Sequence, residues 1–277
     1  MKIGSKILNL NRPAVMGILN VTPDSFWEES RNFNDSEIIS RVRTVRDEGA
    51  SLIDIGGYST RPGAPHVSPE EELARVTRGV EAVLREAPEL IISIDTFRAS
   101  VADTIIKRFG TCIINDISGG ELDPDIIGVA ARHGTPYIAM HMRGTPEDMQ
   151  QYTDYKNITD DVVSFLLEKA RELEQHGIEE VILDPGFGFA KTTEQNYELL
   201  ANLEQLTSSR YPVLAGISRK SMIYKVLDTK PSEALAGTAA INWECLRKGA
   251  KILRVHDVKE AVDIVKLFNF YEASRVN

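Results

Sequence analysis

Short runs of apolar, often branched residues recur along this chain, each stopping at a polar residue or a glycine. They lie at 15–19, 52–55, 91–94, 112–114, 137–140, 182–183, 212–217 and 251–253, with helical spacing between many of them. Runs this short and this apolar are what strands buried on both faces require. Such strands pair in parallel, and parallel neighbours need a crossover, so helices must intervene. Ser36 is placed as the N-cap of a helix that carries Ile38, Ile39, Val42 and Val45 on one face and ends at Gly49. Ser68, Pro69, Glu70 and Glu71 start another, which runs through Leu73, Val76, Val80 and Val83. The triple Glu70-Glu71-Glu72 reads as a solvated first turn. Further helical faces carry Val162, Val163, Leu166, Leu167 and Leu173, and then Val258, Val262 and Val265.

Eight strand-helix units in 277 residues favour a closed barrel over an open doubly wound sheet, since such barrels take roughly 250 residues. The expected fold is α/β, a TIM (β/α)8 barrel with parallel strands. No linker, low-complexity tract or break in composition divides the chain, so one domain over 1–277 is expected. The net charge of −9 speaks against nucleic acid as a partner, because phosphate backbones are gripped by basic faces. Cys112 and Cys245 lack metal-ligand or redox spacing and are read as reduced, buried side chains. No sustained apolar stretch precedes Arg12-Pro13, and no apolar run reaches the ~18 residues of a membrane span. A cytoplasmic protein without membrane contact is expected.

In a parallel barrel all strands point the same way, so the residues that follow them gather at one mouth. Asn20, Thr60, Asp95, Asn115, Asp184, Lys220, Arg254 and His256 all follow such runs. Asp95, Asp184 and Asn115 can exchange hydrogen bonds with the amino and ring N–H groups of a flat nitrogen heterocycle. Arg254, His256 and Arg61 supply positive charge for an oxyanion such as phosphate, and Asn20 offers a carbonyl oxygen to a hard divalent ion. Between Asp184 and Phe189, Pro185, Gly186 and Gly188 end the ladder and let the backbone approach a ligand, while Phe187 and Phe189 offer flat apolar surface. Asp54 is assigned to barrel packing, because the glycine turn begins only after Ile55. His66, His133 and His176 fall in helix or loop contexts and are read as structural.

Asn20-Val21-Thr22-Pro23-Asp24-Ser25-Phe26, Ser59-Thr60-Arg61-Pro62-Gly63, Ile94-Asp95-Thr96 and Ile114-Asn115-Asp116-Ile117 follow one another along the chain. After them come Met140-His141-Met142, Asp184-Pro185-Gly186-Phe187-Gly188-Phe189, Ser218-Arg219-Lys220-Ser221 and Arg254-Val255-His256-Asp257. In this order the motifs resemble the dihydropteroate synthases, from Met16 to beyond Asp257. The resemblance implies a transferase of folate biosynthesis, a pterin-binding barrel and sulfonamide target that condenses dihydropterin-CH2-pyrophosphate with p-aminobenzoate. It implies pterin contacts from Asp95, Asn115, Met140, Asp184, Gly188 and Lys220. Asn20, Thr60, Arg61, Arg254 and His256 would hold the pyrophosphate, with magnesium (Mg2+) on Asn20. Pro62, Phe189, Lys220 and Ser221 would hold p-aminobenzoate, its carboxylate near Ser221 at a helix N-terminus. Asp95, Lys220 and Arg61 would act in catalysis. Pyrophosphate departure would lead attack, leaving a pterin cation, while the loops after the first two strands close to exclude water. A homodimer packed through exterior helices is also implied.

Two departures stand out against that pattern. Glu28-Glu29-Ser30 occupies a place where the family commonly has Asp-Gly-Gly, which removes a glycine hinge, and Tyr58 stands where a Glu is common. Methyltetrahydrofolate-dependent corrinoid methyltransferases share a pterin-binding barrel but have no leaving pyrophosphate. The cationic motifs at 218–221 and 254–257 therefore speak against them. A non-catalytic pterin-binding barrel would be favoured if one of the convergent charges were missing, and none is.

Overall fold

The computed structural model describes residues 1–21, 35–59 and 66–275. A small antiparallel hairpin comes first, β1 (Lys2–Ile3) and β2 (Lys6–Ile7). The barrel strands follow as β3 (Ala14–Asn20), β4 (Leu52–Gly56), β5 (Ile91–Asp95), β6 (Ile113–Asp116), β7 (Tyr137–Met140), β8 (Val181–Asp184), β9 (Leu214–Ala215) and β10 (Ile252–Val255). Between them lie α1 (Asp35–Asp47), α2 (Pro69–Glu86), α3 (Ala99–Phe109), α4 (Asp125–His133) and α5 (Ile158–Gln175). The second half adds α6 (Thr193–Ala201), α7 (Glu204–Thr207), α8 (Ser221–Tyr224), α9 (Leu235–Arg247) and α10 (Val258–Arg275).

All neighbouring barrel strands pair in parallel, in the order β8-β7-β6-β5-β4-β3-β10-β9, and a bridge from Leu183 to Val213 brings the two ends of the sheet together. The expected parallel barrel is therefore present. Its seam is thin because the run at 212–217 yields only a two-residue ladder. Pro212 has no amide hydrogen to donate, so that strand joins β8 by accepting, with the Leu183 amide donating to the Pro212 carbonyl.

Side chains alternate across each strand, and that alternation builds the molecule in layers. Val15, Ile53, Ile94, Ile114 and Leu183 face the helices and belong to the larger apolar core. Met16, Leu52, Ile91, Ile113, Ile138, Ile182, Leu214 and Ile252 form a second core with Ile3 and Leu8 of the hairpin region. The amino-terminal segment, to which the sequence reading gave no role, thus packs into the apolar floor of the barrel. Helix α2 begins as the sequence predicts, with Pro69 first and the Ser68 side chain accepting from the Glu71 amide. Its third acid departs from expectation, since Glu72 is fully buried instead of solvated.

Candidate active site

On four strands the inward position two residues beyond the floor layer carries a charge or an amide. Asp54 follows Leu52, Asn115 follows Ile113, Asp184 follows Ile182 and Arg254 follows Ile252, each on the same face of its strand. One step further, Asp95 ends β5 and Asn20 ends β3. Because the strands are parallel, all of these groups except the fully buried Asp54 line one cavity of about 540 Å3. Asn20, Asp95, Asn115, Met140 and Asp184 line its strand-borne wall. The loops add Gly188, Phe189, Lys220, Ser221 and His256, and Arg254 lies at its base. Every expected site residue that the structure describes is therefore at this cavity. Thr60, Arg61 and Pro62 lie outside the described residues, as does Glu28-Glu29-Ser30.

Arg254 organises the deepest part. Its Nε donates to Asp54 Oδ2 at 2.6 Å and its Nη2 to Asp95 Oδ2 at 2.7 Å. Asn115 Nδ2 donates to the same Asp54 oxygen at 3.0 Å. Asp54, which the sequence reading set aside, is thus the shared anchor of Arg254 and Asn115. Although the glycine turn begins only after Ile55, strand parity turns Asp54 inward with Leu52. Burial opposes the charge on Arg254, but Asp54 and Asp95 outweigh it and hold the guanidinium above its ordinary range. Burial pushes the Asp95 carboxyl up, to about 7, against the pull of Arg254. Asp184 is also raised by burial, with Lys220 and the Gly186 amide working the other way.

Lys220 caps the cavity from β9's loop. Its amine donates to the Phe187 carbonyl at 2.6 Å and sits 4.7 Å from the centre of the Phe189 ring. Burial lowers this lysine to about 8, with Asp184 resisting. The two phenylalanines part company. Phe189 lines the cavity, but Phe187 is fully buried among helix-facing residues, so the expectation of an exposed ring at 187 is corrected. Gly188 is left-handed, φ 82, with Lys220 Cδ 3.2 Å from where a Cβ would stand, which explains a glycine there. Helix α8, which starts at Ser221, is a single turn. The N-terminal field expected there is correspondingly small, and local N–H groups are what Ser221 can offer an anion.

His256 stays neutral near pH 7, because burial and the Arg254 charge push it down to about 4. Ser218 Oγ accepts from the His256 amide and lies 3.1 Å from Nδ1. With the hydroxyl hydrogen directed to Nδ1, the ring proton is left on Nε2. The adjacent Arg219, at φ 56, grips Asp257 through two 2.8 Å hydrogen bonds, so the loops after β9 and β10 are tied together.

On the opposite side, Thr96 Oγ1 and Arg98 Nη1 donate to buried Glu72, at 2.5 and 2.6 Å. Arg98 in turn lies over the rings of Phe97 and Tyr58, which meet edge to face at 5.5 Å. Glu72 therefore braces the wall that presents Tyr58. Ile117 and Met149 also line the cavity and were not foreseen. Ile117 was legible, two positions beyond Asn115, whereas Met149 comes from a short 3-10 turn without a periodic signal. His133 pairs with Asp103 and His176 with the Glu172 carbonyl, away from the cavity.

His141 should make the fold sensitive to acid, because it is buried and pushed down to about 2 by desolvation and by Lys191. The unfolded imidazole takes a proton near its ordinary 6.5, while the folded one stays neutral far below that. Stability from this group is thus present above 6.5 and lost as pH falls. The stability of wild type relative to His141→Asn should drop by about 1.4 kcal/mol per pH unit below 6.5. Urea unfolding of both proteins from about pH 7 to about pH 5 measures it. A pH-independent difference would contradict this assignment.

The sequence profile of the pterin binding enzyme family matches residues 16–256. The dihydropteroate synthase of Synechocystis sp. is 45% identical, over 92% of this chain and 89% of that protein. Among solved structures, Xanthomonas albilineans dihydropteroate synthase with 4-aminobenzoic acid superposes with a TM-score of 0.89 at 38% identity, covering 96% of this chain and 95% of that one. Yersinia pestis dihydropteroate synthase in a sulfonamide drug complex gives 0.91 at 39% identity, covering 100% and 99%.

Proposed function

The chain belongs to the pterin-binding enzyme family, among the dihydropteroate synthases, and from that premise we propose how its own residues divide the work. The reaction joins 7,8-dihydropterin-6-ylmethyl pyrophosphate to p-aminobenzoate, giving 7,8-dihydropteroate and pyrophosphate. One observation carries the assignment of roles: a single cavity holds acids and an amide at its strand-borne wall and cations beside them. Asp184 and Asn115 take the N–H edge of the pterin, and Lys220 turns from the Phe187 carbonyl towards the ring. Met140 and Gly188 flank the ring's faces. Arg254 and neutral His256, donating from Nε2, take the leaving pyrophosphate, with Thr60 and Arg61 adding to that side.

Departure leads attack in this reading. Neutralising the leaving group lets the pterin methylene develop positive charge, and the Asp95 carboxylate stabilises that charge. p-Aminobenzoate lies between Phe189, Pro62 and the Lys220 stem, its carboxylate at Ser221. Its aromatic amine is already a neutral nucleophile, so no side chain need act as a strong base. A sulfonamide would compete for this half of the cavity.

Magnesium suits the leaving-group side. Asn20 is exposed at the end of β3, and no described residue donates to its Oδ1. No group of three His, Cys, Asp or Glu forms a metal cage among the described residues. That donor set fits an ion that keeps most of its water and takes its remaining oxygens from a phosphate. Bound there, magnesium would neutralise pyrophosphate charge. Pyrophosphate release should require both substrates, stop on chelation and return with added Mg2+. Release from the pterin substrate alone at the same rate, or binding of both substrates without release, would contradict the reading.

Two copies of the chain associate, in this proposal, through α9 and α10. Leu267 and Phe270 are 65% and 77% exposed on α10, beside the packed rings of Trp243, Phe268 and Tyr271. Phe270→Glu should convert a dimer to a monomer in sedimentation equilibrium, whereas a monomeric wild type would refute the pairing. A cytoplasmic location is supported by two free, buried cysteines, and no described helix is long and apolar enough to cross a membrane.

A further inference from the structure

Lys191 is buried at 3% exposure, and the chemistry above makes no use of it. Lys169, the other buried lysine, is neutralised by Glu121 and Glu172. Lys191 has no carboxylate within salt-bridge distance among the described residues, and its amine is held by uncharged acceptors. The Gly186 carbonyl lies at 2.9 Å, the Phe189 carbonyl at 3.0 Å, His141 Nδ1 at 3.1 Å and the His141 carbonyl at 3.5 Å. His141 is the neutral partner this arrangement needs, and its ring is wedged edge-on against Phe165 at 5.0 Å.

This amine sits behind the loop that follows β8. Gly186 and Phe189 direct their carbonyls back to Lys191, while Phe187 directs its carbonyl forward to Lys220. The Gly188 amide is fixed separately by Asn196 Oδ1 at 2.7 Å. Ala190, between Phe189 and Lys191, is held at φ 49, a left-handed conformation that costs an alanine about 1 kcal/mol or more. Something must hold the loop in that shape, and a buried amine donating to two of its carbonyls does so whether or not it carries the charge, which burial disfavours by lowering this lysine to about 7. Asp184, by contrast, is fixed through the ladder to β7 and by the Gly186 amide at 2.7 Å.

We propose that Lys191 is a positioning residue for the p-aminobenzoate half of the cavity: by clamping the Gly186 and Phe189 carbonyls behind the loop, it fixes the ring of Phe189 at the cavity wall. This rests on the reading of Phe189 as a p-aminobenzoate contact. Lys191→Met keeps the buried length and removes the donors, and Lys191→Gln keeps one donor group. In both, the KM for p-aminobenzoate should rise about tenfold, as small misplacements of a positioning group do, with pterin pyrophosphate affinity by calorimetry within about threefold. Amide hydrogen exchange at Gly188 and Phe189 should speed up. Added to Phe189→Ala, Lys191→Met should raise the KM no further, because the ring through which it acts is gone.

An unchanged KM with unchanged exchange would overturn the proposal. So would an equal loss of pterin affinity with full additivity on Phe189→Ala, or loss of fold in both lysine variants, since either marks a merely structural lysine. A Phe189→Ala enzyme with the wild-type KM would instead overturn the placement of p-aminobenzoate. In that case the exchange rates alone decide whether Lys191 fixes the loop.

Discussion

Asp184→Asn should lower kcat/KM for the pterin substrate by about 10^3-fold while leaving the barrel folded. The amide keeps one oxygen for the Gly186 amide, now accepted at 2.7 Å, so the loop retains its local bond. Its NH2 group, however, would face the N–H edge of the pterin, putting donor against donor in a buried place. Removing one partner of a buried charged hydrogen bond costs about 3–5 kcal/mol, a factor of roughly 150 to 5,000. Lys220 would also lose the carboxylate that resists its deprotonation, so the pH profile of kcat/KM should narrow on its alkaline side. Steady-state kinetics and a thermal melt measure both halves. A loss under tenfold would mean that Asp184 does not meet the pterin.

Asp54→Ala should be the most damaging substitution at a residue that need not touch substrate. Arg254 would retain Asp95 but lose its 2.6 Å partner, and Asn115 would lose the acceptor that orients its amide. Leaving a buried guanidinium half-paired costs about 3 kcal/mol or more. The expected result is a Tm lower by roughly 10 °C, at ~2–4 °C per kcal/mol for a chain of this size. A fall in kcat/KM of about 10^2-fold should accompany it, because both the pyrophosphate and pterin groups are misplaced. Asp54→Asn, which keeps an acceptor for Arg254, should recover part of the stability. Normal kinetics in a destabilised Asp54→Ala protein would assign Asp54 to packing alone.

The contrast between Asp184 and Asp54 marks where the sequence was legible. Asp184 stands at the end of an apolar run and before a proline and two glycines, so its place at a mouth follows from local punctuation. Asp54 stands inside a run, and only strand parity, counted from Leu52, turns it into the barrel. Parity also explains Asn115 and Arg254, and it would have found Ile117. Glu72 was hidden for a different reason. Its neighbours Glu70 and Glu71 are exposed on the first turn of α2, and nothing local says that Thr96 and Arg98 from the next unit fold back onto the third acid. The same limit governs Phe187, whose burial depends on what helix-facing residues surround it. Alternation of strands and helices was enough to give the barrel. The shortness of β9 and the floor contributed by Ile3 and Leu8 were not legible, because both are set by contacts between distant segments.

The most direct test of the account is a crystal structure of the enzyme with a pterin pyrophosphate analogue and p-aminobenzoate bound together. The pterin edge should lie against Asp184 and Asn115, the phosphates against Arg254 and His256, and the benzoate ring against Phe189 and the Lys220 stem. A pterin seated away from Asp184 and Asn115, or phosphates that leave Arg254 paired only with Asp54 and Asp95, would contradict the claim that these strand ends form one catalytic site.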